Sequence, residues 1–320
     1  MNKRRGIIVA VLSGLLFVGP PIALAANGSG DDTEQVNRVL KQMSTAVREL
    51  NYRGLFTYEV GGSLDTYQII HRVSGNTEYE RLFKLNGAER EVLRSGQTTN
   101  CLSQGDKLLR GLLRPPQISS NLRDNYHFYL TGDERVAGRP TVVVQVVPKD
   151  EHRFGYTLGI DKQSGLPLKS MRVSTGKRIM ERIQFIDLSV GAEIGDPELN
   201  PLSEQHNQAA HDLIDCRSTS TAEQPAWQPN WLPAGFVYSG QRETETGDHM
   251  LTYTDGLATF SIFVGRANAR AAIEGRAQIG ATVAYVNQRV WNGQPHSVTV
   301  VGEIPFATAQ QVVAALEPRQ

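Results

Sequence analysis

Short β-prone segments separated by glycine-bearing turns recur through most of this chain, and that spacing dictates antiparallel sheet. Residues 52–60 meet Gly61-Gly62 and continue as 64–73; Ser74-Gly75-Asn76 then leads into 78–85. Glycine at both turn positions accepts the positive φ that a two-residue hairpin needs. Asn86-Gly87 predicts a second such type I′ turn before 89–94. After Tyr126-His127-Phe128-Tyr129 come strand-like runs at 141–147, 153–161, 168–174 and 178–188, with a turn at 162–165. Hairpin-linked strands can leave one sheet face open, and an open apolar face needs a cover.

A helix supplies that cover. Val36, Val39, Leu40, Met43, Val47 and Leu50 recur at the helical period, and Asp31 and Asp32 stand where they can cap its first amides. Leu108, Leu109, Leu112 and Leu113 suit a short apolar helix or flap that Pro115-Pro116 stops. From about residue 197 to 225 the composition turns polar, with a short helix expected within 204–216 and linker character in 217–224. Further strands are expected at 236–242, 249–253, 258–264, 282–291 and 297–301, with turns at Asp255-Gly256 and Asn292-Gly293. A helix over 307–316 ends the chain, with Val312, Val313 and Leu316 on one face.

The first 25 residues read as an export signal. Lys3, Arg4 and Arg5 precede an apolar run over 7–18, and Ala23-Leu24-Ala25 gives the small-x-small cleavage pattern before Ala26. The run falls short of the about 20 apolar residues of a membrane span. Without the leader, thirty basic residues face thirty-three acidic ones, a balance that argues against general nucleic-acid binding. The remaining length fits two domains better than one. Cys101 and Cys216 permit one disulfide in an oxidising compartment, and two buried thiols remain an equal alternative.

Catalytic patterns are not found. His206 and His211 lie five apart, off a common helical face, and the other histidines stand singly. No H-E-x-x-H, G-x-S-x-G or S-x-x-K occurs. The reading is a binding protein, not an enzyme, with no cofactor and no metal. A half-open sheet suits an acyl chain, because each buried methylene contributes about 0.8 kcal/mol. Candidate lipid-binding residues are Leu108, Leu109, Leu112, Leu113, Phe128 and Tyr129, for which plain core packing is the competing reading.

The ten residues from Trp227 read Trp-Gln-Pro-Asn-Trp-Leu-Pro-Ala-Gly-Phe. Pro229 and Pro233 fix φ and remove donors, so this is no helix interior. Trp227, Trp231 and Phe236 are the first core residues of a C-terminal unit or, in the sharper reading, partner-binding residues. Together with Asn51-Tyr52-Arg53-Gly54, Asp161-Lys162-Gln163-Ser164-Gly165-Leu166-Pro167 and residues 299–305 (Thr-Val-Val-Gly-Glu-Ile-Pro), the block resembles the MucB/RseB family of periplasmic regulators.

The resemblance implies an α+β protein: a signal peptide (1–25), a large LolA/LolB-like incomplete antiparallel β-barrel with helices (26–200), a linker (201–226) and a smaller C-terminal antiparallel sheet with a helix (227–320). It implies binding to the periplasmic domain of a MucA/RseA-type anti-sigma factor and shielding of that domain from a site-1 protease. Lipopolysaccharide or another acyl lipid would release the partner, so the protein would act negatively on an envelope-stress sigma factor. A LolA-like carrier of lipoproteins or lipids is the alternative. Association with further copies of the chain is left open.

Overall fold

A computed structural model describes residues 31–75, 77–95, 120–200, 224–244, 246–267 and 274–319. The leader, Leu108, Leu109, Leu112, Leu113, Cys101, Cys216 and the helix expected within 204–216 lie outside these residues.

Helix α1 (Asp31–Glu49) presents the anticipated face. Val36, Leu40, Met43, Ala46 and Val47 are buried, and Val39 and Leu50 pack against them at the rim. Their cover is a nine-stranded antiparallel sheet formed by β1 (Tyr52–Val60), β2 (Ser63–Ser74), β3 (Thr77–Lys84), β4 (Glu91–Ser95), β5 (Tyr126–Val136), β6 (Arg139–Pro148), β7 (Gly155–Asp161), β8 (Pro167–Val173) and β9 (Ile179–Val190). The order is β4-β3-β2-β1-β9-β8-β7-β6-β5, so two meanders join where β1 pairs with β9. One core holds α1 together with Phe56, Ile69, Leu82, Val144, Ile160, Leu168 and Ile183, which come from seven of the strands. The sheet therefore curls around the helix, while β4 and β5 remain its two edges and the barrel stays incomplete. A short helix, α2 (Ser120–Asn125), runs directly into β5.

Turn chemistry accounts for several registers. Val60 stands opposite Ser63, and Gly61 and Gly62 take φ of 58° and 83°, as a type I′ hairpin requires. The expectation for Asn86-Gly87 needs correcting: β3 ends at Lys84 and β4 starts at Glu91, so the loop is six residues long. Its Asn86 side chain accepts from the Thr66 amide at 2.6 Å and donates to the Leu64 carbonyl at 3.3 Å. The asparagine ties the loop back to β2 instead of turning a tight hairpin. In the 161–167 stretch, Asp161 accepts from the Ser164 amide, the Ser164 hydroxyl and Arg139. Burial works against its charge, but these bonds prevail and hold the carboxyl below the usual range. Gly165, at φ 83°, sits against Gln42 of α1, where a Cβ would meet the Gln42 Cγ at 2.7 Å.

The C-terminal part is a six-stranded antiparallel sheet of β11 (Val237–Glu243), β12 (His249–Thr254), β13 (Thr259–Arg266), β14 (Gly275–Ile279), β15 (Thr282–Trp291) and β16 (Gln294–Gly302). Its order is β11-β12-β13-β16-β15-β14. Asn292 and Gly293, at φ 51° and 75°, turn β15 into β16. One further helix on the N-terminal side, α3 (Asp196–Leu199), follows β9; α4 (Phe306–Ala315) buries Ala309, Val312 and Val313 on the second sheet. A small ribbon pairs β10 (Trp227–Pro229) with β17 (Leu316–Pro318). Pattern alone missed β10, β14 and β17 and gave no strand over β5. The two ribbon strands are three residues long and end in proline, and β14 exposes nearly every position and so has no alternation.

Gly54 of β1 lies where β9 crosses closest: a Cβ there would stand 2.6 Å from the Asp187 carbonyl and 2.8 Å from the Phe185 ring. Gly54→Ala should destabilise the protein by about 1–3 kcal/mol through overpacking. An unchanged midpoint in urea unfolding would show that the β1–β9 crossing gives way more easily than this packing implies.

Candidate functional site at the seam between the two sheets

The two sheets meet through charge. Arg153, in the loop between β6 and β7, is wholly buried. Its guanidinium donates to both oxygens of Asp150 (3.0 and 2.9 Å), to Asp255 (2.6 Å) and to the Ala234 carbonyl (2.5 Å). It also lies over the rings of Tyr126 (5.4 Å) and Phe236 (5.1 Å). Asp255 is held by its own turn: one oxygen accepts the amides of Leu257 and Ala258, at 2.8 and 2.7 Å. The other oxygen is thereby left facing Arg153 and the Tyr126 hydroxyl, which donates to it at 2.9 Å. Burial and then the Asp255 charge push the Tyr126 phenol far up. Burial opposes the charge on Arg153, but Asp150 and Asp255 outweigh it and raise its pKa.

A second buried arginine repeats the arrangement. Arg172 of β8 pairs with Glu303, just after β16, at 2.8 Å and lies 3.6 Å from Glu181 of β9. Glu181 also accepts the Ala281 amide across the seam at 2.7 Å. The guanidinium covers the Tyr156 ring at 5.0 Å. Burial raises the Tyr156 phenol and, with help from Glu181, the Tyr58 phenol. Phe154, Met180 and Ala281 form a small apolar cluster beside these charges. At a third contact His152 faces the Thr308 hydroxyl of α4 at 3.2 Å and meets Trp231 edge-on at 5.1 Å. Each arginine thus comes from the N-terminal side and holds two carboxylates, one from its own side and one from across the seam.

Family models fit both halves of the molecule. The MucB/RseB N-terminal domain matches residues 35–203 and the MucB/RseB C-terminal domain matches residues 221–317. The chain belongs to the MucB/RseB family. The sigma factor AlgU regulatory protein MucB of Pseudomonas aeruginosa is 35% identical over 314 residues, covering 95% of this chain and 96% of that protein. The sigma-E factor regulatory protein RseB of Escherichia coli K12 is 26% identical over 325 residues, covering 94% of each. The crystal structure of MucB in complex with MucA(peri) superposes with a TM-score of 0.73 at 35% identity, over 89% of this chain and 99% of that one. A crystal structure of MucB gives 0.64 at 33% identity, over 91% and 99%. MucB/RseB proteins bear the names of sigma-factor regulators, not of catalysts.

Within this MucB/RseB fold the residues singled out from sequence fall in different places. Trp227 is buried in the C-terminal core, 4.7 Å from Trp291 and 5.1 Å from His296. Phe236 is buried between Phe260 and the Arg153 guanidinium. Trp231 is half-buried and reaches the seam through His152. Phe128 packs at the rim of the N-terminal core beneath Arg123, whereas Tyr129 is 47% exposed beside His127. Neighbours on one strand point to opposite faces, so Phe128 and Tyr129 do not share a surface. Sequence reading passed over Arg153, Asp255, Arg172, Glu181 and Glu303. Arg172 shares its strand with Lys169 and Ser170, so its charge did not stand out, and Asp255-Gly256 was read only as a turn. Among the described residues no helix is long and apolar enough to cross a membrane.

Arg153→Met removes the cation from two carboxylates at once and should cost about 3–5 kcal/mol in urea unfolding; a loss below about 1 kcal/mol would mean the seam carries little stability. The buried phenols add a pH signature. Unfolded tyrosines ionise near pH 10, whereas Tyr58, Tyr126 and Tyr156 resist ionisation in the fold, so alkali favours the unfolded chain. Their contribution is complete below about pH 10 and is lost as the pH climbs above it. The thermal midpoint should fall as the pH rises above about 10, and less steeply in Tyr156→Phe; parallel profiles for the two proteins would contradict this.

Proposed function

We propose that this protein is a periplasmic negative regulator that binds the periplasmic domain of a MucA/RseA-type anti-sigma factor and shields it from a site-1 protease. The observation that carries the reading is the superposition, over nearly all of the relative's chain, on MucB in complex with MucA(peri). The leader pattern in residues 1–25 supports export.

In this reading residues 26–200 form the lipid-sensing domain, 201–226 the linker and 227–320 the partner-binding domain. The open barrel around α1 would take an acyl chain, with Phe128 at its rim and Leu108, Leu109, Leu112 and Leu113 as further apolar candidates. The second sheet and the cleft beside Trp231 would hold the anti-sigma segment. Lipid binding that favours another disposition of the two sheets would release the partner.

The seam's charge arrangement supports such a change. A buried ion that loses its partner is costly. If the C-terminal sheet moves away, Arg153 retains Asp150 and Arg172 retains Glu181, both on its own side. Neither arginine is stranded, which lowers the barrier to separation.

The test is a cleavage assay with the protein from Ala26 onward, the anti-sigma periplasmic domain and its activated site-1 protease. Protection of the anti-sigma domain, reversed by lipopolysaccharide, is expected. Unchanged cleavage at saturating protein would reject the regulator reading, and protection that ignores lipopolysaccharide would reject lipid release.

A further inference from the structure

The outer face of β1–β3 carries a row of arginines, each of which has a partner in one nearby segment. Arg53 of β1 and Arg81 of β3 both stand opposite Ile70 of β2, and Arg72 lies two residues further along β2 on the same face. Residues 193–198, just beyond β9, lie across them as a strap. Arg53 donates to the Glu193 carbonyl at 2.6 Å and pairs with Glu198 at 2.9 Å. Arg72 donates to the Ile194 carbonyl at 3.2 Å and pairs with Asp196 at 2.7 Å. Arg81 donates to the Glu198 carbonyl at 2.8 Å and is itself oriented by Glu91 at 2.5 Å. Ile194 is the strap's buried apolar residue, and Ile70 is buried between the arginines.

We infer that this face is a binding site for a short acidic segment of a protein partner, occupied in this structure by the chain's own strap, whose acids stand on the single turn of α3. The occupant defines the chemistry. The arginines read three backbone carbonyls, which any sequence offers, and two carboxylates two residues apart, with one apolar side chain two residues ahead of the first. The pattern is apolar-x-acid-x-acid, met here by Ile194-Gly195-Asp196-Pro197-Glu198. Guanidinium forks suit paired carbonyl and carboxylate acceptors. The strap is weakly held at Asp196, which is 84% exposed, because ion pairs at that level of exposure are weak. Its advantage is tethering, which gives the cis segment a high effective concentration and masks the site from a free peptide. Displacement would also free the start of the connection to the second sheet. The inference does not depend on the anti-sigma reading above.

A fluorescent peptide of residues 191–200 is the probe, titrated by anisotropy into the chain from Ala26 onward and into its Asp196→Asn/Glu198→Gln variant. The variant, whose strap has lost its charges, should bind the peptide about tenfold or more tightly than the unaltered chain. Adding Arg72→Gln and Arg81→Gln should abolish that binding, and salt should weaken it. A peptide carrying Ile194→Ser should bind worse; equal binding would mean a bare anion site and sink the peptide assignment. No gain from the strap variant, or a gain indifferent to the two arginines, would likewise overturn it. Circular dichroism checks the fold of each variant, and Asp196→Asn alone serves where the double change unfolds the chain. Because no anti-sigma domain or protease takes part, failure here leaves the cleavage assay untouched.

Discussion

Arg153 is a full positive charge removed from water, and its surroundings have to answer for it. Asp150 fixes two of its nitrogens from within the same loop, and Asp255 and the Ala234 carbonyl reach it from the other sheet. The desolvation of such an ion is offset only when every donor finds a partner in good geometry. Meeting that demand sets where the β12–β13 turn must stand, and with it the whole C-terminal sheet. It also explains why the Trp/Pro block runs where it does: Ala234 and Phe236 are its contributions to the arginine's cage.

The repetition of the motif at Arg172 gives the seam its character. Apolar contact there includes the cluster of Phe154, Met180 and Ala281, Leu257 against the N-terminal core and Val60 beside Gly280. Polar bonds that demand particular geometry run through it. A seam of this kind specifies one arrangement sharply while it is closed. Its carboxylates are shared between both sides, so it can also open without stranding a cation. A wholly apolar seam of the same size would have bound the sheets without that selectivity, and a seam with all its carboxylates on the C-terminal side would have left both arginines unpaired on separation.

Local chemistry was legible where it acted alone. Gly61-Gly62 and Asn292-Gly293 turned tight hairpins because positive φ at both positions is a property of those residues. The face of α1 was legible because helical period and burial coincide over about four turns. Asn86-Gly87 has the same local signature, yet its side chain found β2 acceptors and donors twenty residues away and made a wider loop. The aromatic block was read partly as a partner surface, and its Trp227 and Phe236 lie in the core. A sequence shows that aromatics cluster, but not which side of them the protein supplies.

By itself, then, the sequence determined the antiparallel strands, the covering helix, the family and the split into a larger and a smaller sheet, since each depends on short-range periodicity, turn residues or matched motifs. Tertiary structure alone decided the seam. Arg153 and Asp255 are 102 residues apart, and Arg172 and Glu303 lie still farther apart along the chain. Nothing in the spacing of charges says which will be buried together; that follows only when two sheets close over them and water is no longer there to solvate either partner.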